Sequence, residues 1–294
     1  MSGWTKPADL RAQVERLWRS GRLLAGTLSG EEIFPHRLTL KAPRPKEIAE
    51  RFGEVRAWAG TLRAGKHYRL VDRQVNNRVL GTNSLPAEAW VDSRAAALSI
   101  VGKHREAAEF EAMVELTREQ VPELLEWLQR RPLKALGLAP VWPRLLAVVA
   151  WLRLHPRPGI YLRQVDIPGV DTKLIELHRS VLAELFDLAL PAQHIAPEFT
   201  GAALFTARYG FRDKPLRVRF RLLDPGLGAE LPVADESSAG RDDDVTLTVR
   251  DFAALRLPTR RVFITENEVN FLAFPAVPAS IAVFGGGLRA GRPT

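Results

Sequence analysis

The chain has 294 residues, 46% of them hydrophobic, and a formal net charge of +8 at pH 7. It contains no cysteine, which excludes disulfides, thiolate metal sites and cysteine nucleophiles. No run of about 18 apolar residues occurs, so no membrane-spanning helix is predicted and the expected location is the cytoplasm. The positive charge favours an anionic partner such as nucleic acid, although a general enrichment in arginine would explain the charge equally well.

Residues 1–132 are predicted to form a mixed α and β arm. Apolar residues at helical spacing predict helices over Leu10–Trp18 and Ile48–Leu62. Asp92 is predicted to cap a further helix, and Thr117 with Gln120 is predicted to form a capping box before another. Short strands are predicted at residues 36–41, 68–71, 78–80 and 89–91.

Residues 133–258 are predicted to form a second region. A strongly apolar helix from Pro143 to His155 ends in a Pro-Arg-Pro-Gly sequence, and a short strand is predicted at Ile160–Gln164. Asp171 or Thr172 is predicted to cap a long helix with a buried face that reaches Phe186. A polar segment from residue 232 to residue 244 is interpreted as a surface loop, in which the acidic run at 242–244 is solvated.

A basic strand follows that long helix. Arg217, Arg219 and Arg221 alternate with apolar residues, so their guanidinium groups share one strand face. The succession of helix, strand and basic hairpin suits a winged helix whose wing lies along phosphate groups. The competing interpretation is an edge strand that charge keeps soluble. The other candidate DNA-binding residues are Lys173, Arg179, Arg208, Arg212 and Lys214.

A single acidic residue is the candidate for metal chemistry. Val262–Thr265 and Ile281–Phe284 are apolar runs typical of buried parallel strands. Glu266 stands at the carboxyl end of the first run, where open α/β sheets place their active groups. It is therefore the candidate catalytic and metal-binding carboxylate. The competing interpretation is an ordinary residue at a helix start, favoured there by the helix dipole.

The same sequence argues against several classes of enzyme. Gly60–His67 resembles a phosphate-binding P-loop but has His67 where magnesium requires Ser or Thr. The histidines lack the spacing of a zinc site, and no serine lies in a Gly-x-Ser-x-Gly elbow. Nucleotide hydrolysis, zinc chemistry and esterase chemistry are therefore not predicted.

Four longer strings carry a resemblance to a known family. They are Gly159–Gln164 (GIYLRQ), Gly169–Glu176 (GVDTKLIE), Arg208–Phe211 (RYGF) and Thr265–Pro275 (TENEVNFLAFP). Together they resemble the JetD family, the nuclease subunit of the Wadjet plasmid-defence system. The helices around Trp18 and Trp58 are similar to that family more loosely, so the resemblance extends over nearly the whole chain.

The resemblance implies a multidomain α/β and α+β architecture. It implies an N-terminal arm at 1–132, a winged-helix region at 133–258 similar to the A subunit of type IIB topoisomerases, and the beginning of a Toprim domain at 259–294. Family members are expected to be homodimers that cut double-stranded DNA beside an SMC-like motor complex. A Toprim site pairs the glutamate at the position of Glu266 with a later Asp-x-Asp motif to hold Mg²⁺ or Mn²⁺.

The sequence departs from the family pattern after Phe284, because no Asp-x-Asp follows. The resemblance therefore implies a C-terminally truncated chain that binds no cation stably and has at best residual endonuclease activity. The expected function is binding of duplex DNA. One alternative is a non-catalytic assembly module that docks on the motor complex, and another is an enzyme whose missing carboxylates come from a second polypeptide.

Overall fold

The computed structural model describes residues 3–77, 81–230 and 243–286 of the chain. The chain divides between Arg212 and Asp213 into two compact units. Each unit contains helices and its own sheet, which confirms the expected mixed α and β class. Within the described residues, no helix is both long enough and apolar enough to cross a membrane.

The first unit is mainly helical. Its three strands form an antiparallel sheet in the order β1-β3-β2, with bounds β1 (His36–Leu38), β2 (Arg69–Asn77) and β3 (Gly81–Val91). Its helices are α1 (Pro7–Arg19), α2 (Arg22–Ser29), α3 (Pro45–Glu50), α4 (Phe52–Arg63), α5 (Arg94–Val101), α6 (His104–Gln120), α7 (Leu125–Arg130), α8 (Pro132–Leu136), α9 (Trp142–Leu154), α10 (Thr172–Leu177), α11 (Arg179–Ala189) and α12 (Phe205–Tyr209).

The predicted helix starts are correct in part. Of the two predicted caps, Asp171 and Thr172, it is Asp171 that caps α10, because its side chain accepts a hydrogen bond from the Leu174 amide at 2.7 Å. The predicted cap at Asp92 is wrong, since Ser93 caps α5 and Asp92 instead pairs with Arg69 at 2.8 Å. The predicted capping box is also wrong, because Thr117 lies inside α6.

Three other predicted elements differ from the structure. The helix predicted over residues 48–62 is broken at Arg51, and the long helix after Asp171 is broken at His178. The predicted strand at 160–164 is instead a single bridge at Tyr161 followed by a turn of 3-10 helix over Leu162–Gln164. The strand predicted at 78–80 lies outside the described residues.

One continuous core fills the first unit and extends across residue 132, where the sequence predicts a boundary. Buried residues of this core run from Trp4 to Phe211. Trp127, before the predicted boundary, stacks on Trp142 after it, with ring centroids 5.6 Å apart. Helices on both sides of residue 132 therefore share one apolar interior, and separate folding units at this point are not observed.

The second unit is a four-stranded mixed sheet with two short helices. Its elements are β4 (Arg217–Leu222), β5 (Asp244–Thr248), α13 (Val249–Ala254), β6 (Arg261–Thr265), α14 (Glu268–Leu272) and β7 (Ser280–Phe284). The order is β5-β4-β7-β6, in which β6 and β7 are parallel, as predicted, and the other pairs are antiparallel. β4, before the predicted boundary at residue 258, pairs with β7 after it.

The position of β4 corrects one interpretation of the basic strand. β4 lies between β5 and β7, so it is not an edge strand, and the β4–β5 pair is part of a four-stranded sheet. The prediction that both apolar strands are buried holds for β7 but fails for β6. Val262 and Ile264 of β6 are 55% and 73% exposed.

We predict that Thr117→Val lowers the free energy of unfolding by about 1–3 kcal/mol. The buried Thr117 hydroxyl donates to the Met113 carbonyl at 2.7 Å and accepts from Trp142 Nε1 at 2.9 Å. Valine keeps the shape but leaves the buried indole N–H without an acceptor. Thr117→Ser keeps the hydroxyl and should cost less than about 1 kcal/mol, the value of one buried methyl. Denaturant titration checks this, and a valine variant as stable as the serine variant would contradict it.

Candidate functional site

The basic strand β4 is largely neutralised by acidic side chains. Arg219 is held by Asp244 through Nε at 3.1 Å and Nη2 at 2.7 Å, and its Nη1 donates to Glu268 at 2.7 Å. These hydrogen bonds raise the pKa of Arg219, with Asp244 as the larger cause and Glu268 next. The guanidinium group of Arg219 is therefore bound by the carboxylates of Asp244 and Glu268 and is not free on an open surface.

Arg221 is more deeply enclosed, with 8% of the residue exposed. Its Nε donates to Asp243 at 3.0 Å, and its Nη1 donates to the carbonyls of Phe271 at 3.0 Å and Leu272 at 2.6 Å. The expected exposed cationic ridge is therefore wrong at Arg219 and Arg221, because both charges are used inside the unit. Arg217 is exposed and forms no ion pair with any described residue.

The prediction for the acidic run at residues 242–244, beside this strand, also needs correction. The run was expected to be a solvated face, but Asp243 and Asp244 are the partners of Arg221 and Arg219. The Asp244 side chain is 17% exposed. Asp242 lies outside the described residues. The run therefore balances the charge of β4, which the sequence pattern alone did not indicate.

Arg208 likewise serves the interior of the first unit. Its Nη2 and Nε donate to Asp187 at 2.9 and 3.1 Å, its Nη1 donates to the Phe199 carbonyl at 2.9 Å, and its side chain is 17% exposed. The neighbouring Tyr209 hydroxyl donates to the same Asp187 at 2.7 Å. Burial, followed by the hydrogen bond with Asp187, raises the pKa of Tyr209. Arg208 therefore joins α11 to α12 and is not displayed for a ligand.

The remaining predicted cations differ in their surroundings. Lys173 on α10, Arg212 and Lys214 are exposed. Arg179, at the start of α11, has a buried Nε with no hydrogen-bond partner in the structure and lies 3.9 Å from Glu176. Of these residues, Arg212 is the one whose backbone pairs with another segment of the chain.

Two backbone segments of the first unit lie side by side around Arg212. The Gly159 amide donates to the Gly210 carbonyl at 2.9 Å, and the Arg212 amide donates to the Ile160 carbonyl at 2.8 Å. Tyr161 and Arg212 form a parallel bridge. Gly210 has a φ of +77°, and a Cβ there would lie 2.6 Å from the Arg157 Cα, so only glycine fits this approach.

These segments carry a set of exposed basic side chains that we call the arginine cluster, which consists of Arg157, Arg163 and Arg212. All three are exposed, and no described acidic residue forms an ion pair with any of them. Tyr161, 38% exposed, lies between the first two in the chain. Sequence reasoning identified Arg212 but missed Arg157 and Arg163. The signal was present, because Arg163 lies within the GIYLRQ string, Arg157 lies two residues before it, and Gly210 belongs to the RYGF string.

Glu266 lies where the sequence predicted it, directly after β6 and before α14, and is exposed. The two parallel strands end together here, since the Gly285 amide donates to the Thr265 carbonyl at 2.8 Å. Gly286 passes close to the backbone of Glu266, and a Cβ at Gly286 would lie 2.9 Å from the Glu266 carbonyl oxygen. The carboxylate therefore stands at the carboxyl edge of the parallel pair.

The described residues at this edge do not fit the divalent cation that the family resemblance implies. Glu268, the nearest carboxylate in sequence, is taken by Arg219. Across the part of the chain that the structure describes, no three Asp, Glu, His or Cys side chains are grouped closely enough to hold a metal ion. A stable magnesium or calcium site requires several oxygen ligands, and Glu266 alone does not supply them.

The fold and these sites define a two-unit α and β protein that exposes a basic cluster on one unit and a carboxylate at a parallel-strand edge on the other. A family model described as "Uncharacterized protein conserved in bacteria N-term (DUF3322)" matches residues 7–187. A second model, described as "Wadjet protein JetD, C-terminal", matches residues 210–293. The chain therefore belongs to this bacterial family, with a C-terminal region of the Wadjet JetD type, which confirms the resemblance found in the sequence. No curated protein matches the chain.

We predict that Arg221→Met lowers the free energy of unfolding by about 3 kcal/mol, because it leaves Asp243 and two carbonyls without their buried donor. Arg217→Met is the matched control, being the same substitution on an exposed position of the same strand, and should change stability by less than about 0.5 kcal/mol. Thermal or urea unfolding of the full chain measures both. Equal effects would show that the Arg221 pair is not structural.

Proposed function

We propose that this chain is a DNA-binding subunit of a Wadjet plasmid-defence complex and that it contacts duplex DNA through the arginine cluster. One observation carries the proposal. Arg157, Arg163 and Arg212 are exposed cations without described acidic partners, and they stand on two segments fixed to each other by backbone hydrogen bonds. In contrast, ion pairs and hydrogen bonds within the protein occupy the guanidinium groups of Arg208, Arg219 and Arg221.

Phosphate is the ligand that this chemistry suits best. Guanidinium groups donate paired hydrogen bonds to phosphate oxygens, and a fixed backbone reduces the entropy lost when they do so. The Tyr161 hydroxyl, between two of the arginines in sequence, is a further donor to the sugar-phosphate backbone. Contacts of this kind position a protein on DNA without reading its sequence, so the proposed binding depends strongly on salt and weakly on base sequence.

The C-terminal match supports placing this activity in plasmid defence. We propose on the same basis that the chain works beside an SMC-like motor complex, that its central region is related to the winged-helix part of type IIB topoisomerases, and that β6, β7 and Glu266 belong to a Toprim-like domain. Lys173, Arg179, Lys214 and Arg217 remain predicted DNA contacts. For the endonuclease half we propose Glu266 alone as a ligand, because the described residues contain no group of three Asp, Glu, His or Cys side chains that could hold Mg²⁺ or Mn²⁺.

We predict that the triple variant Arg157→Ala, Arg163→Ala, Arg212→Ala binds duplex DNA more weakly and with a flatter salt dependence. Loss of three phosphate contacts should reduce the slope of log affinity against log salt by up to about 2.7. Fluorescence anisotropy with labelled duplexes of two unrelated sequences, over a range of salt concentrations, measures the slope. Both duplexes should respond alike.

The control for this prediction removes the same charge elsewhere. Arg16, Arg56 and Lys66 are exposed and, like the cluster, form no ion pair with a described residue. Their triple alanine variant should change the salt slope by less than about 1, since long-range charge alone is screened. Equal effects of the two triple variants would show that net charge, and not the cluster, drives binding. Absence of salt-sensitive binding by the unmodified chain would favour the assembly-module alternative.

A further inference from the structure

Stacked aromatic rings lead from the core of the first unit to its surface, and we call them the aromatic column. The ring centroids of Phe205 and Phe211 lie 6.3 Å apart with 10° between the planes, and Trp151 stacks on Phe211 at 6.4 Å and 12°. His155 then stacks on Trp151 at 4.6 Å and 20°. The two phenylalanines are buried, Trp151 is half-buried and His155 is exposed. The His155 imidazole is therefore the solvent-exposed end of the column.

The His155 ring is held in a fixed orientation. His155 directly follows the last residue of α9, and its Nδ1 lies 2.9 Å from the Trp151 carbonyl oxygen. Because a carbonyl oxygen only accepts, Nδ1 donates this hydrogen bond. Among the rings that the structure describes, only Trp151 stacks on the imidazole. One face of the ring is thus covered by the indole, and the exposed surface belongs to its other face and its edge.

Closing the end of α9 does not require this ring. The backbone amide of His155 already donates to the same Trp151 carbonyl at 3.0 Å, so the carbonyl has a partner without the side chain. The competing interpretation, a residue that serves only to end the helix, therefore leaves the position of the imidazole unexplained. A flat aromatic surface that is exposed and oriented in advance is what a stacking contact with a ligand needs.

The exposed end of the column lies beside the arginine cluster in the chain. Arg212 directly follows Phe211, and Arg157 comes two residues after His155. Leu154, directly before His155, is 79% exposed. This part of the surface therefore combines exposed cations with an aromatic ring and an apolar side chain. Contacts with phosphate alone use only the first of these.

We infer that the His155 ring stacks on an unpaired base of DNA whose phosphates the arginine cluster binds. The inference rests on the proposed function and adds to it a preference among DNA structures. Bases in a fully paired duplex are stacked on one another, whereas an extrahelical base has free faces and has already lost its pairing. A duplex with one extrahelical base therefore gains a contact that a paired duplex lacks, and that contact does not involve charge.

Three duplexes with the same flanking sequence test the stacking. One is fully paired, one carries a single extrahelical adenosine, and one carries an abasic residue at the same extrahelical position. In fluorescence anisotropy, the full chain should bind the adenosine duplex at least about fivefold more tightly than the paired duplex, and the abasic duplex within about twofold of the paired duplex. Equal preference for both extrahelical duplexes would assign the effect to easier bending of the DNA and would overturn the inference.

The salt dependence of the same preference separates stacking from additional phosphate contacts. Stacking releases no counterions, so the ratio of the two affinities should stay constant as salt rises, although both affinities fall. A ratio that declines toward one at higher salt would show that extra phosphate contacts cause the preference, and the inference would be wrong.

Substitutions at His155 assign the preference to its ring. His155→Ala should lower the affinity ratio of the adenosine and paired duplexes to about one. His155→Phe keeps an aromatic ring without an ionisable nitrogen and should keep the preference. His104→Ala is the matched control, because it removes an exposed imidazole at the start of α6 that stacks on no described ring, and it should leave the ratio unchanged. A preference that survives in His155→Ala, or that is lost in His155→Phe, would refute the role of the ring.

The unmodified chain distinguishes failure of this inference from failure of the proposed function. Salt-sensitive binding of equal strength to all three duplexes would overturn the stacking and leave the arginine cluster as a DNA contact. Absence of binding to every duplex would overturn both. Because this comparison needs no variant, it holds even if a substitution at His155 disturbs the fold, which circular dichroism of each variant checks.

Discussion

The second unit depends on the pairing of two arginines on β4 with two aspartates at the start of β5. A guanidinium group as enclosed as Arg221 is stable only when charge and hydrogen bonds replace its water. Asp243 supplies the charge, and the carbonyls at the end of α14 supply the remaining acceptors. Arg219 adds a second link, from Asp244 across to Glu268 at the start of α14. These contacts join β4, β5 and α14, and they fix the segment on which Glu266 stands.

The same pairing explains how far the sequence could predict this protein. Alternation of apolar residues located β4, because side-chain direction in a strand is a local property. Continuous apolar runs located β6 and β7 and indicated that they are parallel strands. Charge exposure is not local. Arg221 meets Asp243 from 22 positions away, and Arg219 meets Glu268 from 49 positions away. A run of alternating arginines therefore predicts a strand correctly and leaves open whether its charges face solvent or carboxylates.

Helix boundaries show the same division between local and tertiary signals. Asp171 was identified as a cap because its hydrogen bond to the Leu174 amide lies within one turn. The sequence around Thr117 suits a helix cap equally well, but Thr117 is buried inside α6. Its hydroxyl there accepts a hydrogen bond from the indole N–H of Trp142 on a later helix. The arginine cluster was partly missed for a related reason. Arg157 follows a helix-breaking proline, and its segment is joined to that of Arg212 by the hydrogen bond between Gly159 and Gly210, which no periodicity encodes.

The two candidate sites belong to separate units of the protein. The arginine cluster stands on the first unit, and Glu266 stands on the second unit at the carboxyl ends of β6 and β7. Because the two sites share no residue, substitutions in the arginine cluster change the groups available to phosphate and leave the ligands around Glu266 as they are. DNA binding and any cation chemistry at Glu266 are therefore separable by substitution.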